Sequence, residues 1–147
     1  MKLTGIDRVT FLVQDMDKAK AFFTNLFELD FWEETSALEE GGIRVCIGLP
    51  DGRVELISVV DAEKTAKVPF LKRTLELAQS GYQGPYAMCF SVKDGREAAD
   101  DAKQRGVRIA EYFEGEHPGI VPPYKEAIFN EEDMAVPGIF VMSRHPK

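Results

Sequence analysis

Few side chains in this sequence can bind a metal, attack a carbon or move a proton, and their spacing excludes most arrangements that would let them. His117 and His145 are the only histidines, and neither has a histidine partner three or four positions away on one element. Both fall beside prolines at the ends of elements, so each reads as a solvated residue. Cys46 and Cys89 sit singly inside apolar stretches, with no CxxC pair and no directly adjacent basic residue to hold a thiolate. They read as small buried residues in a reducing compartment. That leaves Arg8, Arg44 and Arg144 as cationic donors and Glu55 as a carboxylate, all in segments with strand character. Taken alone, Arg8 is a polar residue opening a strand and Glu55 an exposed position on an alternating one. Trp32 reads as ordinary strand packing, and Tyr124 lies in a Pro-containing stretch.

The elements that position these residues follow from periodicity. Arg8 to Val13 is a β-branched and aromatic run, and Asp15 behind it can cap a helix by accepting from free backbone N–H groups. Ala19, Phe22, Phe23, Leu26 and Phe27 then fall at i, i+3, i+4, i+7 and i+8, one helical stripe expected to pack on a sheet. Leu29 to Glu34, Ile43 to Leu49 and Arg53 to Val60 read as strands, with turns at Gly41-Gly42 and Asp51-Gly52. Val68 to Gln79 reads as a connecting helix.

The pattern then restarts. Phe11, Val13, Asp15 and Ala19 recur as Phe90, Val92, Asp94 and Ala98, each displaced by 79 positions (90 − 11, 92 − 13, 94 − 15, 98 − 19). Val107 to Phe113, Glu126 to Asn130 and Gly138 to Ser143 supply three more strands, and Glu114 to Lys125, with Pro118, Pro122 and Pro123, is expected to be a loop. The sequence therefore predicts an α+β fold of two βαβββ modules in a single domain over 1–147, with module one at about 5–61, a connecting helix at about 66–80 and module two at about 84–145. At 147 residues and 44% hydrophobic content, one core is the expectation. A formal charge of −7, without a basic stripe, argues against a nucleic-acid partner. No apolar run approaches the roughly 20 residues that span a bilayer, so no membrane partner and a cytoplasmic location are expected.

VTFLVQDMDKAKAFFTNLFELDFWEE, from Val9 to Glu34, resembles the opening module of the vicinal oxygen chelate superfamily, the glyoxalase, bleomycin-resistance and extradiol-dioxygenase proteins. MCFSVKDGREAADDAKQRGVRI, from Met88 to Ile109, resembles its second module, and with VELI at Val54 to Ile57 the likeness spans essentially the whole chain. One departure is Glu28, which stands where the family usually has a glycine after the first helix. The resemblance implies that the modules form a cupped mixed sheet, with a divalent metal held by the first and last strands of each module. The corresponding positions here are Arg8 and Ala87 on the first strands, and Glu55 and Phe140 on the last. Of these only Glu55 can coordinate, because guanidinium, methyl and phenyl groups offer no N or O lone pair at the about 2.0 to 2.3 Å a metal requires. Arg8 is therefore expected to stand where the cation's charge would be, neutralising Glu55.

On this fold, strand alternation places a ligand-binding cup at Arg8, Thr10, Arg44, Cys46, Glu55, Ile57, Cys89, Phe140 and Met142. Arg144 joins the same face, while Val9, Phe11, Val13, Met88, Phe90, Val92, Ile139 and Val141 turn to the helices. A one-residue slip in any strand reverses its assignment. Such a cup suits a small organic ligand with an anionic or carbonyl group, bound without a cofactor. Two other readings stand beside it. One is a metal-dependent lyase, isomerase or epimerase, or dioxygenase of the same superfamily, with ligands such as Asp7, His117 or His145 or ligands shared across a dimer. The other is a non-catalytic assembly module. The resemblance implies a homodimer.

Overall fold

The computed structural model describes residues 1–145. Alternating apolar residues and two aspartate caps generate the element order. The first half carries β1 (Leu3–Leu12), α1 (Met16–Phe27), β2 (Phe31–Glu34), α2 (Ser36–Gly41), β3 (Ile43–Gly48) and β4 (Val54–Val59). Next come α3 (Ala62–Ala66), a 3-10 turn at Pro69–Leu71 and α4 (Lys72–Gln79). The second half carries β5 (Gly84–Val92), α5 (Gly95–Gln104), β6 (Ile109–His117), β7 (Val121–Phe129) and β8 (Ile139–Arg144). With α2 set aside, βαβββ occurs twice, an α+β fold. Asp15 accepts from the Lys18 N–H at 3.0 Å, and Asp94 from those of Arg96 and Glu97 at 2.8 and 3.1 Å. The repeated aspartate thus does the same work in both halves, satisfying amides that have no partner inside the helix.

The chain forms two compact units. Unit one combines Met1–Val9 with the chain from Ala87 on, and unit two is Thr10–Tyr86. In unit two the strand order is β2-β3-β4-β1, with β2–β3 and β3–β4 antiparallel. One side of these strands packs on α1 through Val13, Met16, Cys46 and Leu56, with Phe11, Ala19, Phe23 and Phe31 around them. The other side buries Leu12, Ile43 and Ile57 under Leu71, with Val68, Phe70, Leu77 and Ala78 from the 3-10 turn and α4. In unit one the order is β1-β5-β8-β7-β6; β5–β8 is parallel, and β8–β7 and β7–β6 are antiparallel. Its core joins Ala98, Ala99 and Ala102 of α5 to Val92, Ala127, Phe129 and Val141.

Several local expectations are corrected. Phe22, Leu26 and Phe27 are 56%, 58% and 57% exposed, so α1 buries Met16 and packs the partly buried Ala19 and Phe23 in place of the full five-residue stripe. Residues 114–125 form the turn end of the antiparallel β6–β7 hairpin in place of a loop. Pro122 and Pro123 fit because they lie where the β6–β7 register shifts, between the Gly115↔Tyr124 and His117↔Val121 pairs, and a proline gives up no ladder N–H there. Gly41-Gly42 ends the short helix α2, with Gly42 at φ 66°. The connecting helix starts at Lys72 after a 3-10 turn that Pro69 opens.

Candidate functional site

In unit one, α5 covers the strand face bearing Val92, Ala127, Phe129 and Val141, so alternation sends Cys89, Glu126, Ile128, Phe140, Met142 and Arg144 to the opposite face. The register agrees, pairing Cys89 with Phe140, Glu126 with Met142 and Ile128 with Phe140. Arg8 of β1 reaches this face. Its Nη2 donates to Glu126 Oε1 at 2.6 Å, and its Nη1 lies 3.9 Å from Met142 Sδ. The side chains of Arg8 and Glu126 are only 11% and 8% exposed, so the guanidinium and carboxylate meet largely out of water, where charge-assisted bonds are strong. A second pair lies beside the first. Arg144 holds Asp7 with two bonds, Nε to Oδ2 at 2.6 Å and Nη2 to Oδ1 at 2.8 Å, and Asp7 Oδ1 is 4.0 Å from Arg8 Nη1. Four charged groups from β1, β7 and β8 thus form one network against Met142.

Of the residues expected in the cup, the structure brings Arg8 and Met142 into contact and puts Cys89 and Phe140 on the same face of unit one. In unit two, Thr10 Oγ1 donates to Glu55 Oε1 at 3.0 Å. Of the remaining three, Ile57 shares the side of Glu55 and is buried there, whereas Arg44 and Cys46 fall on the other side. Ile57 is packed under Leu71 in the core. Cys46 is fully buried against Met16 and Leu56 on the α1 side, where desolvation raises its thiol pKa. Arg44 lies two residues before it on that side, its Nε on Glu33 at 2.6 Å and its Nη1 3.4 Å from Asp17 of α1. The hydrogen bond from Arg44 holds the Glu33 carboxyl below its ordinary pKa. The cause is the register of β3, in which Val45 pairs with Ile57 and Ile47 with Glu55, so Cys46 and Arg44 fall on the opposite side from those two.

Glu126, the partner of Arg8 on this face, is a residue that the sequence reading passed over. Its signal was there: a lone carboxylate in alternation with Ile128 on a strand that otherwise reads as buried. Of the alternative ligands, Asp7 is held by Arg144, the His117 ring lies against Tyr124 with centroids 5.8 Å apart, and His145 Nε2 is 2.9 Å from Ser143 Oγ. Tyr124 itself belongs to β7 and is not part of a loop. Among the described residues no three His, Cys, Asp or Glu side chains are grouped to hold a metal ion.

Residues 7–121 match the family model of the glyoxalase/bleomycin resistance protein/dioxygenase superfamily. The chain belongs to this superfamily. Solved structures of the same fold include methylmalonyl-CoA epimerase from Mycobacterium tuberculosis, at 17% identity and TM-score 0.64, covering 99% of this chain and 89% of that one. The Streptomyces coelicolor methylmalonyl-CoA epimerase in complex with 2-nitronate-propionyl-CoA aligns at 18% identity and TM-score 0.66, covering 97% and 99%. A hypothetical protein from Bacillus halodurans aligns at 16% and 0.64, covering 97% and 94%. No curated protein matches the sequence. Of the unit-one positions that the resemblance assigns to metal ligands, Arg8 is engaged with Glu126, and Ala87 and Phe140 bring no donor atom for a divalent ion.

Proposed function

We propose that this glyoxalase-superfamily protein binds a small organic ligand without a metal, on the unit-one face where Arg8 meets Glu126. The observation that carries the reading is the Arg8–Glu126 bond of 2.6 Å, which puts a fixed guanidinium at a position the superfamily gives to a metal ligand. A guanidinium supplies permanent positive charge and five directed donors, and so can orient a ligand oxygen as a cation would. Phe140, partly buried on the same face, adds apolar area of the kind small ligands require beside a few placed polar groups. We also propose that the protein works as a homodimer, which light scattering at twice 16.5 kDa would support.

Elemental analysis of untagged protein purified without chelator tests the reading. We expect no stoichiometric Zn, Fe, Mn or Ni. About one tightly held ion per chain would overturn it. A second reading, an isomerase or epimerase, is favoured by the alignment of methylmalonyl-CoA epimerases over 97% or more of the chain. Its measurement is exchange of the α-proton of methylmalonyl-CoA in D2O, and exchange that the protein accelerates would establish that reading.

A further inference from the structure

The fold uses only part of the apolar side of α1. Phe23 packs beside Phe11 and Phe31, whereas Phe22, Leu26 and Phe27 are each more than half exposed. A buried aromatic covers about 150–250 Å², so these three present roughly 300 Å² of apolar surface, a patch of the size that marks interaction sites. The patch is also held in place. Phe22 and Phe27 rest on the Phe23 ring, with centroids 5.5 and 5.8 Å away, and on each other at 6.5 Å. Rings fixed in this way lose little freedom when a partner covers them.

Charge decides what covers them. Lys18, Phe22 and Leu26 follow one another at four-residue spacing, a ridge on the helix surface, and Asp30 continues that spacing just past the Glu28 cap. Lys18 and Asp30 are both exposed, and among the described residues neither forms an ion pair. The strip is thus basic at one end, apolar in the middle and acidic at the other. Helices pack most often with such ridges side by side, crossing at about −50°. A second copy of α1 laid antiparallel sets Phe22 against Leu26 of that copy and brings Lys18 level with its Asp30, and the twofold axis repeats both contacts. The helix dipoles then oppose as well. A parallel copy would set Lys18 on Lys18, and an anionic membrane would meet Asp30 and the chain's formal charge of −7. We infer that the homodimer closes through α1, packed antiparallel on α1 of the second copy. The inference rests on the homodimer reading above and names its interface. The two patches form an apolar centre of roughly 600 Å², below the about 1,200–2,000 Å² of a stable interface, so the dimer dissociates on dilution.

Sedimentation equilibrium of the full chain over a dilution series reads the monomer–dimer Kd. Phe22→Ser should raise it at least about tenfold. Lys18→Glu and Asp30→Lys should each raise it several-fold, and the two together should return it to near the wild-type value, because the pair is restored with its signs exchanged. Both positions are exposed, and Lys18→Glu puts an acid in the first turn behind the Asp15 cap, which helices favour, so the charge variants decide the matter should Phe22→Ser not fold. A Kd that none of these variants changes would overturn the inference and leave the homodimer standing with its interface elsewhere. Charge reversals that the double variant does not rescue would overturn the antiparallel arrangement. A wild type that stays at 16.5 kDa at every concentration fails both readings, and its flotation with anionic vesicles would give the face to a membrane instead.

Discussion

Asp94 shows how one carboxylate serves two structural purposes. It accepts two amides at the start of α5 and the Lys125 ammonium at 2.8 Å, and Lys125 first, then the amides, lower its pKa to about 2. Because the folded value lies below the unfolded one of about 3.9, the carboxylate contributes stability that is fully present above about pH 4 and is lost as pH falls toward 2. Urea midpoints of wild type and Asp94→Asn should therefore differ at pH 6 and converge at pH 2. Glu28 is a case of the opposite kind, sitting in the left-handed region at φ 57° with its N–H on Thr24 O. Glu28→Gly should raise stability by about 0.5–1 kcal/mol, since glycine enters that region without a Cβ clash, and an unchanged urea midpoint would refute this. The caps were legible in the sequence because their partners lie two or three residues away. The Arg8–Glu126 and Arg144–Asp7 pairs were not, because 118 and 137 residues separate their members.

At the level of elements, the paired βαβββ order was legible from apolar spacing and the repeated aspartate, whereas the orientation of an individual strand was not. Ile43 to Leu49 is apolar at so many positions that alternation does not say which side faces α1, and the reading of Arg44 and Cys46 turned on that choice. Residues 114–125 misled for a different reason: prolines normally argue against strands, but here they sit at the shifted end of the hairpin. Gly42 links elements whose contact was not visible in the sequence. At φ 66°, its missing Cβ would lie 2.5 Å from Asp61 O, at the residue that caps α3. Gly42→Ala should cost about 1–3 kcal/mol through backbone strain and displacement of α3, measurable as a lowered urea midpoint. A midpoint within error of wild type would show that α3 moves aside freely.

For the molecule as a whole, unit one depends on residues from both ends of the sequence, since Met1–Val9 belong with the chain from Ala87 on. Asp7→Ala tests that dependence. It leaves Arg144, 14% exposed, without its bidentate partner, a change of the class that costs about 3–5 kcal/mol. Hydrogen exchange should then show faster amide exchange in β5 and β8, with β3 and β4 of unit two retaining protection. Equal acceleration in all four strands would mean that the units do not open separately. The split of β1 also bears on how the protein is made. On a ribosome, Thr10–Tyr86 emerge with all the residues of their unit, whereas Leu3–Val9, translated before them, wait for β5 and β8. The strand of unit one that is translated before all of Thr10–Tyr86 is thus among the last to be fully paired, and until then the unpaired backbone of Leu3–Val9 is a point of exposure to chaperones and to other copies of the chain.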